Sequence, residues 1–227
     1  MNRSAIPSLP HALRLGATLI ILIPAAALAA DFRGFASAGP MGLILFQECR
    51  GNAPAARVVK VEDATQDGTF TAGIEAVRRI MLNAGRPLYV EFSGDASGQA
   101  IKARQFQRAV GTFQSCAAAV PIAPGMQLLA TGEGPTWRFA ATTAAATLER
   151  PGERAVRFPP GPFGAKPRQD LDGTTRVIDA WSALDGGTVR VELTAEMCSD
   201  GRSETAYGAK VVLRYGSRTY EGCAARF

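Results

Sequence analysis

Residues 71–94, TAGIEAVRRIMLNAGRPLYVEFSG, change hydrophobic period part-way along, and that change decides the fold. In the first half Ile74, Val77, Met81 and Leu82 recur at helical spacing, with Arg78 and Arg79 facing away. Gly85 and Pro87 stop the helix. Leu88, Val90 and Phe92 then alternate with Tyr89 and Glu91, the period of a strand. Thr71 to Ala84 is therefore expected to be helical and Pro87 to Gly94 extended. Upstream lie three short β-like runs, Phe32 to Ser37, Leu43 to Glu48 and Arg57 to Glu62, separated by Gly39, Pro40, Gly51 and Pro54. Downstream, Ile101 to Phe113 places Phe106, Val110 and Phe113 at helical spacing in a context that favours a strand. Three strands, a helix and two strands is the order of a five-stranded OB-like barrel.

Pro121 to Gly125 reads as a linker, and the chain beyond Gly125 is β-rich. Candidate strands are Met126 to Thr131, Thr136 to Thr142, Ala144 to Arg150, Thr174 to Leu184, Thr188 to Met197, Lys210 to Tyr215 and Thr219 to Cys223. Asp185-Gly-Gly187 and Gly216-Ser217 supply tight turns. Phe158 to Pro167 holds too many prolines for a central strand and reads as a surface loop. The expected fold is mainly β: an OB-like barrel with one helix over 30–118, a linker over 119–125, and a small antiparallel β-barrel or sandwich of roughly seven or eight strands over 126–227.

Residues 1–29 read as an export signal. Arg3 and Arg14 precede an apolar run from Leu15 to Ile23, then Pro24 and a tail in which Ala27 and Ala29 fit a signal peptidase. The run is shorter than the roughly 20 apolar residues of a comfortable membrane span. No cysteine follows the cleavage position until Cys49, so a lipoprotein anchor is not expected. The expected location is periplasmic or secreted, with no membrane span in the mature form. The formal charge of +5 falls to about +3 without the signal, too mild for a dedicated nucleic-acid binder. Lys102, Arg104 and Arg108 read as a solvated face.

The single histidine, His11, lies in the signal. The rest of the chain therefore has no means of building a Ser-His-Asp or Cys-His catalytic unit or a histidine-ligated metal site. Lys60, Lys102, Lys166 and Lys210 are scattered without a motif. No phosphate loop, dinucleotide fingerprint, zinc-protease motif or EF-hand loop is present, so no cofactor and no metal is expected. Four cysteines, Cys49, Cys116, Cys198 and Cys223, fall into two well-separated pairs in an exported chain, which suggests two disulfide-closed modules, although four cysteines allow three connectivities.

Phe32-Arg-Gly-Phe35, Phe46-Gln-Glu-Cys49-Arg-Gly51, Arg86 to Gly94 and the closing Cys116 resemble the OB-type domain of NlpE-like bacterial envelope lipoproteins. That resemblance implies a Cys49–Cys116 bond. The family's metal-associated Cys-x-x-Cys pair has no counterpart here, so a copper role is not carried over. Cys198-Ser-Asp-Gly-Arg-Ser-Glu204-Thr-Ala-Tyr207 with Gly222-Cys223-Ala resembles the carboxy-terminal domain of a family of uncharacterised bacterial envelope proteins, in which an NlpE-like domain often precedes it. Gly132, Pro135 and Trp137 match part of a further motif of that family. A Cys198–Cys223 bond would close a loop of about 26 residues, worth roughly 3 kcal/mol in the chain-entropy model.

Asp200 is placed to accept backbone N–H groups in a turn with Gly201 and Ser203. Trp137, Asp200, Glu204 and Tyr207 form the candidate binding rim, and no catalytic residue is assigned. The expected role is binding or stress sensing in the envelope, with an envelope protein or polysaccharide as partner and not nucleic acid. The alternatives are a secreted inhibitor of a hydrolase such as lysozyme and, third, a carboxylate-dependent glycosidase using Asp200 and Glu204.

Overall fold

Five strands close on themselves in the first half of the chain. They are β1 (Ala30–Ala38), β2 (Ile44–Arg50), β3 (Ala53–Asp63), β4 (Leu88–Ser97) and β5 (Ala100–Val110), with helix α1 (Thr69–Ile80) between β3 and β4. The computed structural model describes residues 30–65, 68–83, 85–119, 125–132, 136–159, 168–169, 175–181 and 187–227. The expected signal, most of the linker and most of the proline-rich loop lie outside them. Pairing runs β1–β2–β3–β5–β4 and back to β1, antiparallel except between β3 and β5. A parallel pair needs a long crossover, and α1 with β4 provides it. This is the OB-like ring expected from the sequence.

Phe46, Val61, Leu88, Val90, Phe92 and Phe106 fill the ring, and α1 adds Phe70, Ile74 and Val77 to the same core. Phe70 meets Phe92 and Phe106 edge-on, with centroids 5.0 and 6.1 Å apart. The helix is shorter than expected, and Leu82, beyond its end, is fully exposed instead of packed. Gly68 offers no capping side chain, so the Asp63 carboxylate accepts the Thr71 N–H at 2.8 Å and the Thr65 N–H at 3.0 Å. Ile101 to Phe113 resolves as strand β5 up to Val110. Glu91 pairs with Arg108 and Phe92 with Phe106, which leaves Gln107 as a bulge. The bulge brings Phe106 and Ala109 into the same core, a spacing of three that imitates a helical turn.

The second half forms one antiparallel sheet, ordered β10-β11-β12-β14-β15-β6-β7-β8-β9. Its strands are β6 (Met126–Gly132), β7 (Arg138–Thr142), β8 (Ala146–Glu149), β9 (Val156–Phe158), β10 (Arg168–Gln169), β11 (Thr175–Trp181), β12 (Thr188–Thr194), β14 (Ala209–Tyr215) and β15 (Arg218–Arg226). Alternate residues, among them Leu128, Phe139, Leu148, Val191, Leu193, Val211 and Leu213, build its core. Phe158, at the start of the proline-rich stretch, is buried in that core as the end of β9. Cys49 pairs with Cys116 and Cys198 with Cys223, at Cα separations of 5.6 and 5.4 Å, so each proposed module has its own bond.

The remaining strand crosses the boundary expected at 119–125. β13 (Thr205–Tyr207) belongs to the second half of the chain but pairs antiparallel with Arg108, Ala109 and Val110 of β5. β3 pairs with β5 only along Ala100–Ala103, and β13 takes up the same strand farther on. Ala206 is fully buried in the barrel core. Behind β13, Cys198 exchanges two backbone hydrogen bonds with Tyr207, each 2.8 Å, and its disulfide ties the hairpin to β15.

Gly208 makes this junction tight. Its N–H donates to the Gln107 carbonyl at 2.8 Å, and a Cβ there would lie 1.8 Å from the Phe106 carbonyl oxygen. Gly208→Ala must therefore push β13 off β5. It is expected to cost about 2 kcal/mol by clash and lost pairing, read as a lower urea midpoint. An unchanged midpoint would contradict the strand exchange.

Candidate functional site

The outer wall of the barrel carries a row of opposed side chains: Tyr207 on β13, Arg108 on β5, Glu91 on β4 and Arg33 on β1. Residues directly opposite each other across neighbouring strands share a face. Glu91 is 1% exposed and Arg108 is 8% exposed. The Arg108 guanidinium grips the Glu91 carboxylate through Nε and through Nη2, the latter at 3.0 Å, and the Tyr89 hydroxyl donates to the same carboxylate at 2.8 Å. Burial pushes the Tyr89 phenol up, and the carboxylate beside it adds to the rise, so the phenol remains a donor. Burial works against the Arg108 charge, but Glu91 more than restores it and the pKa is raised. Arg108 is therefore not part of a solvated face. Lys102 is exposed and Arg104 pairs with Asp95 at 2.8 Å near the surface, but Arg108 is covered from the second module, with its guanidinium 6.0 Å from the centre of the Phe227 ring.

Beside this row, between the two modules, lies a half-open cavity of about 370 Å³. Asp31, Phe32, Arg33, Glu48, Glu91 and Gln107 line it from the barrel, and Gly125, Met126 and Phe227 close it from the other side. Gln107, the bulge residue, is 3% exposed and donates its amide to Asp31 at 3.2 Å. The cavity was not foreseen from sequence. Its one local signal is the acidic residue at 91 inside the otherwise apolar run from Leu88 to Phe92.

The four expected rim residues play different parts. Trp137 is 5% exposed, packed edge-on against Tyr220 with centroids 5.8 Å apart in the second core, and offers no rim. Asp200 holds its own turn, accepting from the Arg202 N–H at 2.9 Å, the Ser203 N–H at 2.8 Å and the Ser203 hydroxyl at 2.9 Å. Glu204 lies against Gly111 on the barrel side. Its backbone carbonyl accepts the Gly111 N–H at 2.7 Å, and its carboxylate is 4.0 Å from Arg86. Tyr207 is half-buried between the modules. Burial raises its phenol and Arg108 lowers it, with a net rise. Asp200 thus holds a turn of its own module, whereas Glu204 is turned to the barrel. Asp200 does line a second, open groove of about 540 Å³ with Ser199, Lys210 and Glu221, beside the Cys198–Cys223 bond.

Among the described residues, no cluster of three or more histidine, cysteine, aspartate or glutamate side chains is arranged to hold a metal, and no helix is long and apolar enough to cross a membrane. No protein-family profile, curated protein or solved structure matches the chain.

Asp63 and Asp200 set an acid limit on the fold. For both, burial pushes the carboxyl up, but hydrogen bonds from Thr65 and Thr71, or from Arg202 and Ser203, outweigh it and leave the pKa below the ordinary 3.8. The stability they contribute is complete above that unfolded-chain value and is lost as the pH falls through the lower folded values. The urea midpoint should drop below about pH 4, and the drop should shrink in Asp63→Asn and Asp200→Asn. A drop of the same size in both variants would show that other carboxylates set the limit.

Proposed function

We propose that this chain is an exported envelope protein that acts by binding, and that it binds at the junction between its two modules. The junction cavity carries the proposal. It is concave, it is walled by both modules, and it combines apolar surface with a few convergent polar groups, the usual make-up of a ligand site. β13 and the buried Glu91–Arg108 pair brace its walls, so the site is held ready instead of forming on contact. Two disulfides in a chain with an export-like leader support an oxidising compartment. The resemblance of its segments to envelope proteins points the same way.

The test is photo-cross-linking in the intact envelope with benzoylphenylalanine in place of Met126, at the cavity wall. Discrete adducts are expected from position 126 and not from the exposed position Arg157 on β9. The same adducts from both positions, or none from 126, would overturn the assignment to the junction.

A further inference from the structure

We infer that the junction cavity takes a small zwitterion of amino-acid or dipeptide size, with its anionic group on Arg33, its ammonium on Asp31 and Glu48, and its apolar part against Met126 and Phe227. This rests on the reading of the junction as a binding site and goes on to name what fits it.

The polar groups lining the cavity differ in how far they are already engaged. Glu91 is taken by Arg108 and Tyr89. Arg33 lines the cavity with no carboxylate at ion-pairing distance among the described residues. Asp31 uses one oxygen on the Gln107 amide. Glu48 has only a loose 3.4 Å contact with Arg50, whose side chain is mostly in water. Gln107 lines the cavity, and with its amide nitrogen on Asp31 its side-chain oxygen faces the open space as an acceptor.

The available side-chain chemistry is therefore one guanidinium, two carboxylates and one amide acceptor, set against the Phe227 ring and a methionine. The guanidinium presents the fork that recognises a carboxylate. The excess of acceptors calls for several N–H donors, which an ammonium group supplies. A phosphate or other multiply anionic ligand would face two carboxylates at close range and is repelled. At about 370 Å³ the volume lies near the lower end of the roughly 300–1,000 Å³ typical of ligand pockets, which suits a ligand of amino-acid or dipeptide size.

Titration calorimetry on the disulfide-intact protein tests this, with the dipeptide Ala-Phe as probe and its N-acetyl and C-terminal amide forms as controls. Ala-Phe should bind saturably, and blocking either charge should weaken it at least tenfold, the scale of one charge-assisted hydrogen bond. Arg33→Gln should weaken Ala-Phe by about tenfold and leave the amide form unchanged. Arg33 is outside the buried pair, so its variant should keep the parent melting curve. No saturable binding of Ala-Phe, loss of affinity for both forms alike in Arg33→Gln, or tighter binding of diacetylchitobiose than of any dipeptide would overturn the ligand class. Cross-links from position 126 that persist in the face of any of these results would leave the junction as a binding site for a different chemistry.

Discussion

Arg108→Met should destabilise the protein by about 3–5 kcal/mol, the cost of stranding one member of a buried ion pair. Glu91 has almost no solvent access, and its two oxygens are served by Arg108 and Tyr89 alone. Methionine fills much of the arginine volume, so the loss comes from the unpaired carboxylate and not from a cavity. The result appears as a urea midpoint well below the parent's at pH 7. In Glu91→Gln/Arg108→Met no buried charge remains, and much of the stability should return. A neutral amide beside Tyr89 can still accept the phenol's hydrogen bond. If Arg108→Met alone lies within about 1 kcal/mol of the parent, water reaches Glu91 and the two modules do not close over the row.

The second large effect is expected from Cys49→Ala/Cys116→Ala, at about 4 kcal/mol by chain entropy, against about 3 kcal/mol for Cys198→Ala/Cys223→Ala. The ordering comes from sequence separations of 67 and 25. Both members of the first bond are buried with Tyr89, Val110 and Ala119, so its removal also loosens the segment that covers the outer barrel wall. Denaturation of the two pairs of variants in urea at one pH decides the order. A larger loss from the second pair would mean that native contacts held in place by Cys198, chiefly the seating of β13, outweigh the entropy of the unfolded chain.

The ring of strands could be read from residues 71–94 because its cues are local: a change of period, a glycine and a proline at the break, and turns between short apolar runs. The pairing of Cys49 with Cys116 and of Cys198 with Cys223 rested on segment resemblance. What escaped was non-local. Thr205-Ala-Tyr207 is too short to show a strand period, and its partner is β5, in the other half of the chain. Arg108 looked like one more surface cation, because a charge in a strand normally faces water. Only a neighbouring module could have covered it. The helical spacing of Phe106, Val110 and Phe113 hid β5, although those residues pack on different sides, Phe106 in the barrel core and Val110 and Phe113 with the Cys49–Cys116 cluster. Trp137 was misplaced for the opposite reason. It adjoins the candidate strand end at Thr136, yet its ring folds back over Gly132, where a Cβ would lie 2.3 Å from the indole nitrogen.

The seat that β13 occupies also dictates when the barrel can be finished. A chain synthesised from its amino end releases β1 to β5 long before residues 205–207, roughly a hundred positions later, and pairings of that range form slowly. Through that interval the upper half of β5 presents an unpaired edge next to Phe106 and Ala109, the kind of edge that recruits other chains. Cys49–Cys116, by contrast, lies wholly within the early-emerging part and can form at once. A truncation anywhere ahead of Thr205 would therefore yield a cross-linked but unsealed barrel, prone to self-association, and the last stretch of the polypeptide acts as the first module's own chaperone.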